Sequence, residues 1–193
     1  MFRLKLATDP RWANIAEQNL PEILSDHAWC EQKAATNAIS LITLLPEYPA
    51  IITELLSIAQ EELEHFRLVH EIIKKRGFAL GRPRKDEYVN DLQKFIIQGN
   101  RKNLLIDKLL FAAMIEARSC ERFKVLTENI KDEEMVSFYK ELMISEANHY
   151  TTFIGFARTL ANSTKNVNKR WEKWLEYEAN IITSYGKKET IHG

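Results

Sequence analysis

The sequence predicts an all-α protein: one bundle of four long helices, a long crossover between the second and the third, and an appended helix near the C-terminus. Three observations predict it. Glycines and prolines are few, six and five among 193 residues, and they cluster between long stretches. Those stretches repeat apolar residues every three or four positions, the period of an amphipathic helix. One connection is long enough to cross the whole bundle. The length suits one domain with a sizeable core, so residues 1–193 are expected to form a single domain.

The first long helix is expected to begin near Pro21, a good first-turn residue, and to stop before the turn signal Pro46-Glu47-Tyr48-Pro49. The second runs from about Pro49 to Gly77; Lys74, Lys75 and Arg76 suit the negative end of its dipole, and Gly77 suits a C-cap. The crossover, GFALGRPRKDEYVNDLQKFIIQGNRKN, opens with glycines and a proline and holds a short helix. The third helix spans roughly Asn103 to Ile130, the fourth roughly Asp132 to Leu160, and the appended one Trp171 to Ile182. A long crossover that keeps both helix pairs antiparallel is the topology of a ferritin-like bundle.

Composition removes several classes of function. Lys plus Arg and Asp plus Glu number 27 each, so no global basic field advertises nucleic acid, although a local patch stays possible. The N-terminal MFRLKLATDPRW has no apolar stretch of signal-peptide length, and no segment approaches the roughly 20 apolar residues that span a bilayer. The expectation is a cytoplasmic protein with no membrane partner. Cys30 and Cys120 are too few for a disulfide scaffold and read as buried, reduced thiols.

The chemistry lies in gaps of the apolar stripes. In the second helix the stripe Ile51, Leu55, Ile58, Ala59, Phe66, Val69, Ile72 and Ile73 is interrupted by Glu62 and His65. In the fourth, Met135, Phe138, Leu142, Phe153, Phe156 and Leu160 are interrupted by Glu146 and His149. Both gaps carry Glu-x-x-His. Glu31 fills the gap in the first helix and Glu116 the gap in the third. Glu31 precedes Glu62 by 31 residues and Glu116 precedes Glu146 by 30, so the pattern is repeated. Glu121 lies five positions from Glu116, about 140° around the helix, and should face elsewhere; Glu61 and Glu64 flank their stripe.

Four buried carboxylates are untenable without compensating positive charge. Two divalent ions supply it, and four carboxylates with two imidazoles are the ligand set of di-iron and di-manganese carboxylate bundles. The expected metal ligands are therefore Glu31, Glu62, His65, Glu116, Glu146 and His149. The bland alternative is a bundle with internal salt bridges. Oxygen and nitrogen donors suit iron or manganese better than thiolate-loving metals, and iron is expected. His27, one turn before Glu31, either orients that carboxylate or simply packs.

The segments DHAWCEQKAA (Asp26 to Ala35), EELEHF (Glu61 to Phe66), IEARSCERF (Ile115 to Phe123) and SEANHY (Ser145 to Tyr150) resemble those of the MiaE-type tRNA hydroxylases. The resemblance covers the four bundle helices and falls off after about Asn162. It implies a non-haem di-iron monooxygenase that uses dioxygen to hydroxylate the isopentenyl side chain of 2-methylthio-isopentenyladenosine beside the anticodon of tRNA. By position it carries over the same six ligands. No flavin motif or cluster-binding cysteine set is present, so the electrons are expected from an external donor, an unidentified reductase. In KKRGFALGRPRK, six of twelve residues are basic: Lys74, Lys75, Arg76, Arg82, Arg84 and Lys85. These are the candidate tRNA phosphate contacts, against the reading of dipole complements and solvated loop charges. A weaker patch comprises Lys165, Lys169, Arg170 and Lys173. Arg118 and Arg122 either meet the RNA or pair with glutamates. The rival functions are a di-iron hydroxylase of a free small molecule or quinone, and ferritin-like or rubrerythrin-like handling of iron or peroxide.

Overall fold

Seven helices and no strand make up the described residues, 2–185 and 190–191 of a computed structural model. They are α1 (Trp12–Gln18), α2 (Leu20–Leu44), α3 (Pro49–Lys75), α4 (Glu87–Gln93), α5 (Arg101–Asn129), α6 (Glu133–Ala161) and α7 (Thr164–Ile182). They fall into two compact units. One holds residues 18–85 and 190–191, the other residues 2–17 and 86–185.

The first unit is the hairpin α2/α3 with the basic segment that follows it. Pro21 and Pro49 occupy the first turns of the two helices, where a missing N–H costs nothing. Between them, Tyr48 N–H donates to the Leu45 carbonyl at 3.0 Å and closes the turn. The two helices pack together and bury Leu24, Ala28, Ala35, Ala38 and Leu41 on α2 and Ile51, Leu55, Ile58, Ala59, Val69 and Ile73 on α3; besides the predicted gaps, α2 also buries Ser25, Asp26 and His27. The end of α3 is a Schellman turn. Gly77 at φ +72° donates to Lys74 O, and Phe78 N–H to Ile73 O, each at 3.0 Å. Far along the chain, Ile191 is buried and its N–H donates to Asp26 Oδ2 at 2.7 Å.

The second unit is the hairpin α5/α6 clasped by α7, α4 and the N-terminal segment. Asp86, Asn100, Asp132 and Ser163 each cap a helix by accepting from the backbone N–H three residues on. Asn162, in the left-handed region at φ +52°, ends α6 immediately before the next cap. Helix α7 buries Val167, Trp171, Trp174, Leu175, Glu178 and Ile182. Buried Asp107 on α5 gathers donors from Arg170 (2.7 and 2.8 Å), Trp174 Nε1 (3.3 Å) and Ile97 N–H (2.8 Å), tying the crossover and α7 to α5.

Four expected helices agree with the structure to within about two residues. The appended helix does not: it begins at Thr164, seven residues before Trp171, because Ser163 supplies a cap that its polar first turns concealed. Helix α1 was not expected at all; Trp12, Ala13 and Ala16 are its buried face. Cys120 is buried as expected, whereas Cys30 is half-buried.

Substituting Gly77→Ala forces a β-carbon into left-handed backbone, although no neighbour obstructs it. The expected loss is about 1–2 kcal/mol in urea unfolding, with the helical signal of the native state unchanged.

Candidate metal centre

Each unit carries one half of the predicted ligand set, placed by the register of its own helix pair. In the first unit, Glu31 comes from α2, and Glu62 and His65 from α3. Their ligand atoms all lie within 4.8 Å of one another. In the second, Glu116 comes from α5, and Glu146 and His149 from α6, again within 4.8 Å. All six residues are between 0% and 8% exposed. Glutamate and histidine three positions apart on a helix project to the same side, so each Glu-x-x-His offers an oxygen and a nitrogen to one point.

The electrostatics of the first half show what the cluster demands. His65 Nδ1 lies 3.3 Å from Glu62 Oε2 and 3.7 Å from Glu31 Oε2. Burial disfavours the charged imidazole, but the neighbouring carboxylates of Glu31 and Glu62 outweigh it and push His65 up to about 11. A proton held between two buried carboxylates stands where a cation would do the same work. His27 is wholly buried, and its Nε2–H donates to Glu31 Oε1 at 2.5 Å. The imidazole one turn before Glu31 thus orients that carboxylate.

In the second half a buried thiol lies nearby. Cys120 Sγ–H donates to the Met143 carbonyl at 3.3 Å, and burial, then Glu146 and Glu121, push it up to about 12, so it stays protonated. Glu121 does face elsewhere. It accepts from Thr8 N–H (2.8 Å), Thr8 Oγ1 (2.6 Å) and Arg118 Nη1 (2.8 Å). Arg118, wholly buried, also donates to Glu178 Oε1 through Nη2 (2.6 Å) and Nε (3.0 Å) and to the Leu6 carbonyl (3.0 Å). Tyr88 Oη–H donates to the same Glu178 oxygen at 3.1 Å. Arg122 lies 4.3 Å above the Trp12 ring, lowered to about 10 by burial and by Arg118. Both arginines of IEARSCERF are therefore interior groups, and the reading that placed them against RNA is set aside.

Sequence reasoning missed Thr8 and Glu178. Glu178 was detectable, because it falls four residues after Trp174 on the buried stripe of α7; the contact with Thr8, 113 residues from Glu121, had no local signal.

The basic candidates are less uniform than their spacing suggests. Lys74, Lys75, Arg82, Arg84 and Lys85 are exposed and Arg76 is half-buried, but Arg84 forms an ion pair with Glu22. In the weaker patch Arg170 turns inward to Asp107 and is lost to any ligand. Donor chemistry in both clusters, two carboxylates and one imidazole, fits a divalent ion with mixed oxygen and nitrogen preference.

A family profile described as tRNA-(MS[2]IO[6]A)-hydroxylase (MiaE) matches residues 2–193. The chain is 36% identical over 150 residues to the tRNA 2-(methylsulfanyl)-N(6)-isopentenyladenosine(37) hydroxylase of Pseudomonas putida, covering 78% of this chain and 72% of that protein. It is 28% identical over 222 aligned positions to the protein of the same name from Salmonella typhimurium, covering 91% of this chain and 81% of that one. Among solved structures it is similar to a protein with aldehyde deformylating oxygenase activity from Synechococcus, at TM-score 0.90 and 30% identity, covering 98% of this chain and 95% of the other. With seven helices and no strand among the described residues, that likeness makes the fold ferritin-like.

Arg118→Ala leaves Glu178 and Glu121 buried without their arginine. The expected cost is about 3–5 kcal/mol in urea unfolding; a loss below about 1 kcal/mol, the range of an exposed pair, would show the network to be idle.

Proposed function

Since the chain belongs to the MiaE family of tRNA hydroxylases, we propose that it is a dioxygen-dependent di-iron monooxygenase that hydroxylates the isopentenyl side chain of 2-methylthio-isopentenyladenosine in tRNA. The observation that carries the reading is the repeated buried trio, two carboxylates and one imidazole, in each helical hairpin. We take the whole chain as one functional domain in which Glu31, Glu62, His65, Glu116, Glu146 and His149 act together on two iron ions.

When bound, the iron pair supplies the two-electron activation of dioxygen that places one oxygen atom in a C–H bond and releases the other as water. The chain's own residues bind, orient and exclude. The four carboxylates would neutralise the ions, and His65 would ligate as the neutral imidazole. His27 fixes the orientation of Glu31. Buried Ile58, Ala59 and Val69 flank the α3 ligands, and Leu142 and Phe153 flank those of α6, which keeps bulk water from the reacting carbon. No separate acid or base is assigned.

The substrate side rests on Lys74, Lys75, Arg76, Arg82, Arg84 and Lys85 as phosphate contacts near the anticodon, with Arg84 contributing least because Glu22 already engages it. The electrons come from an external reductase. We place the reaction in the cytoplasm; no helix among the described residues is long and apolar enough to cross a membrane.

The test is nucleoside analysis of tRNA incubated with iron-loaded protein, reductant and dioxygen. Appearance of the hydroxylated isopentenyl nucleoside is the expected result, and an unchanged isopentenyl group would refute the reading. A second reading, an oxygenase of a free small molecule on the same metals, is favoured by the likeness to the Synechococcus protein; it predicts turnover of an aldehyde or similar compound with tRNA untouched.

Elemental analysis should find about two iron ions per chain. Glu62→Ala and Glu146→Ala should each lower that content and abolish hydroxylation while the chain stays helical. His27→Ala, which keeps every ligand, should weaken iron binding about 10- to 100-fold in a competition titration with a chelator.

A further inference from the structure

The basic segment after α3 is held along one face of α2. Ser25 Oγ accepts from Gly81 N–H at 3.0 Å, Trp29 Nε1 donates to the Gly81 carbonyl at 2.8 Å, and Lys33 Nζ donates to the Arg84 carbonyl at 3.2 Å. The Arg84–Glu22 ion pair continues the same row. Glu22, Ser25, Trp29 and Lys33 recur every three or four residues, so a single helix face carries the segment. Backbone groups are tied down, and Arg82 and Lys85 keep exposed side chains.

Trp29, fixed by that bond, leads into a row of rings. Its centroid lies 5.8 Å from that of Phe66, tilted by 56°, and Phe66 stacks on His70 at 6.2 Å with planes 12° apart. All three are half-buried. On α3, Phe66, His70 and Lys74 follow the ligand Glu62 at intervals of four, about 6 Å of rise per step. The row therefore runs outward from a metal ligand to the basic end of the helix.

A row of half-buried rings with cations beside it fits one chemical class well. An unpaired nucleotide offers a base to stack and a phosphate to neutralise. A duplex keeps its bases within its own stack, and an uncharged small molecule has no use for the cations. We propose that Trp29, Phe66 and His70 form the platform on which the chain stacks an unpaired base neighbouring the one it modifies, with Lys74, Arg82 and Lys85 on the adjoining phosphates. This rests on the reading of the chain as a tRNA hydroxylase and adds where the RNA loop lies. Every base has a π face, so the platform accepts whichever base flanks the target.

The probe is a synthetic RNA stem-loop carrying 2-methylthio-isopentenyladenosine in its loop, with affinity measured by fluorescence anisotropy over a range of KCl and hydroxylation followed on the same RNA. His70→Ala should weaken binding about 5- to 100-fold with an unchanged salt slope, and should raise KM while leaving kcat nearly as it was. His70→Phe, which restores a stacking face, should recover most of the affinity. The double variant Arg82→Ala with Lys85→Ala should instead flatten the plot of log K against log salt by about 1.4. Iron content and helical signal, equal across all variants, show that none has misfolded. Unchanged affinity in both His70→Ala and Trp29→Leu overturns the platform; the proposed function then stands if the parent protein still hydroxylates tRNA. A parent protein that modifies no tRNA removes that function and the platform with it.

Discussion

Carboxylate charge withdrawn from water must be neutralised where it sits, and the helical hairpins of this protein withdraw Glu31 and Glu62 in one and Glu116 and Glu146 in the other, among further buried acids. Leaving ionised glutamates buried without a cation costs far more than the marginal stability of a domain this size can absorb. Helices α2 and α3 spend seam positions on Glu31, Glu62 and His65 where leucine or alanine would stabilise the hairpin directly. Helices α5 and α6 do the same with Glu116, Glu146 and His149. A fold that gives up apolar contacts at matched places in both hairpins is organised around what those places hold.

Helix α5 shows two solutions to the same problem, five residues apart. At Glu121 the chain supplies the positive charge itself, through Arg118, and uses the resulting network to secure the N-terminal segment and α7. At Glu116 the neighbours are Glu146 and His149, a set that adds acidic charge and donor atoms instead of an arginine. An arginine fills its site permanently and serves structure. Converging oxygen and nitrogen donors leave room for an ion, and an ion brings chemistry with it.

Much of this was legible in the sequence because helical periodicity is local. A stripe of apolar residues can be read without knowing its partner, and a glutamate within the stripe is visible as an exception. Glu62 and His65 stood out for that reason, and Glu121 could be separated from Glu116 by rotation alone. What escaped depends on distant contacts. The start of α7 before Trp171 escaped because the one apolar residue there, Val167, needs the rest of the unit to define an inside. Helix α1 has only seven residues, too short for a period to register. Arg170 looked like part of a surface patch, and only the position of Asp107, 63 residues earlier in the chain, explains why it turns inward.

The proposed function requires that the buried donors of each hairpin hold iron. Anomalous diffraction at the iron edge from crystals of the iron-loaded protein addresses it most directly. Two peaks per chain are expected, at the buried glutamate and histidine clusters of the hairpins. Peaks confined to exposed acidic side chains, or none at the buried clusters after loading, would contradict it.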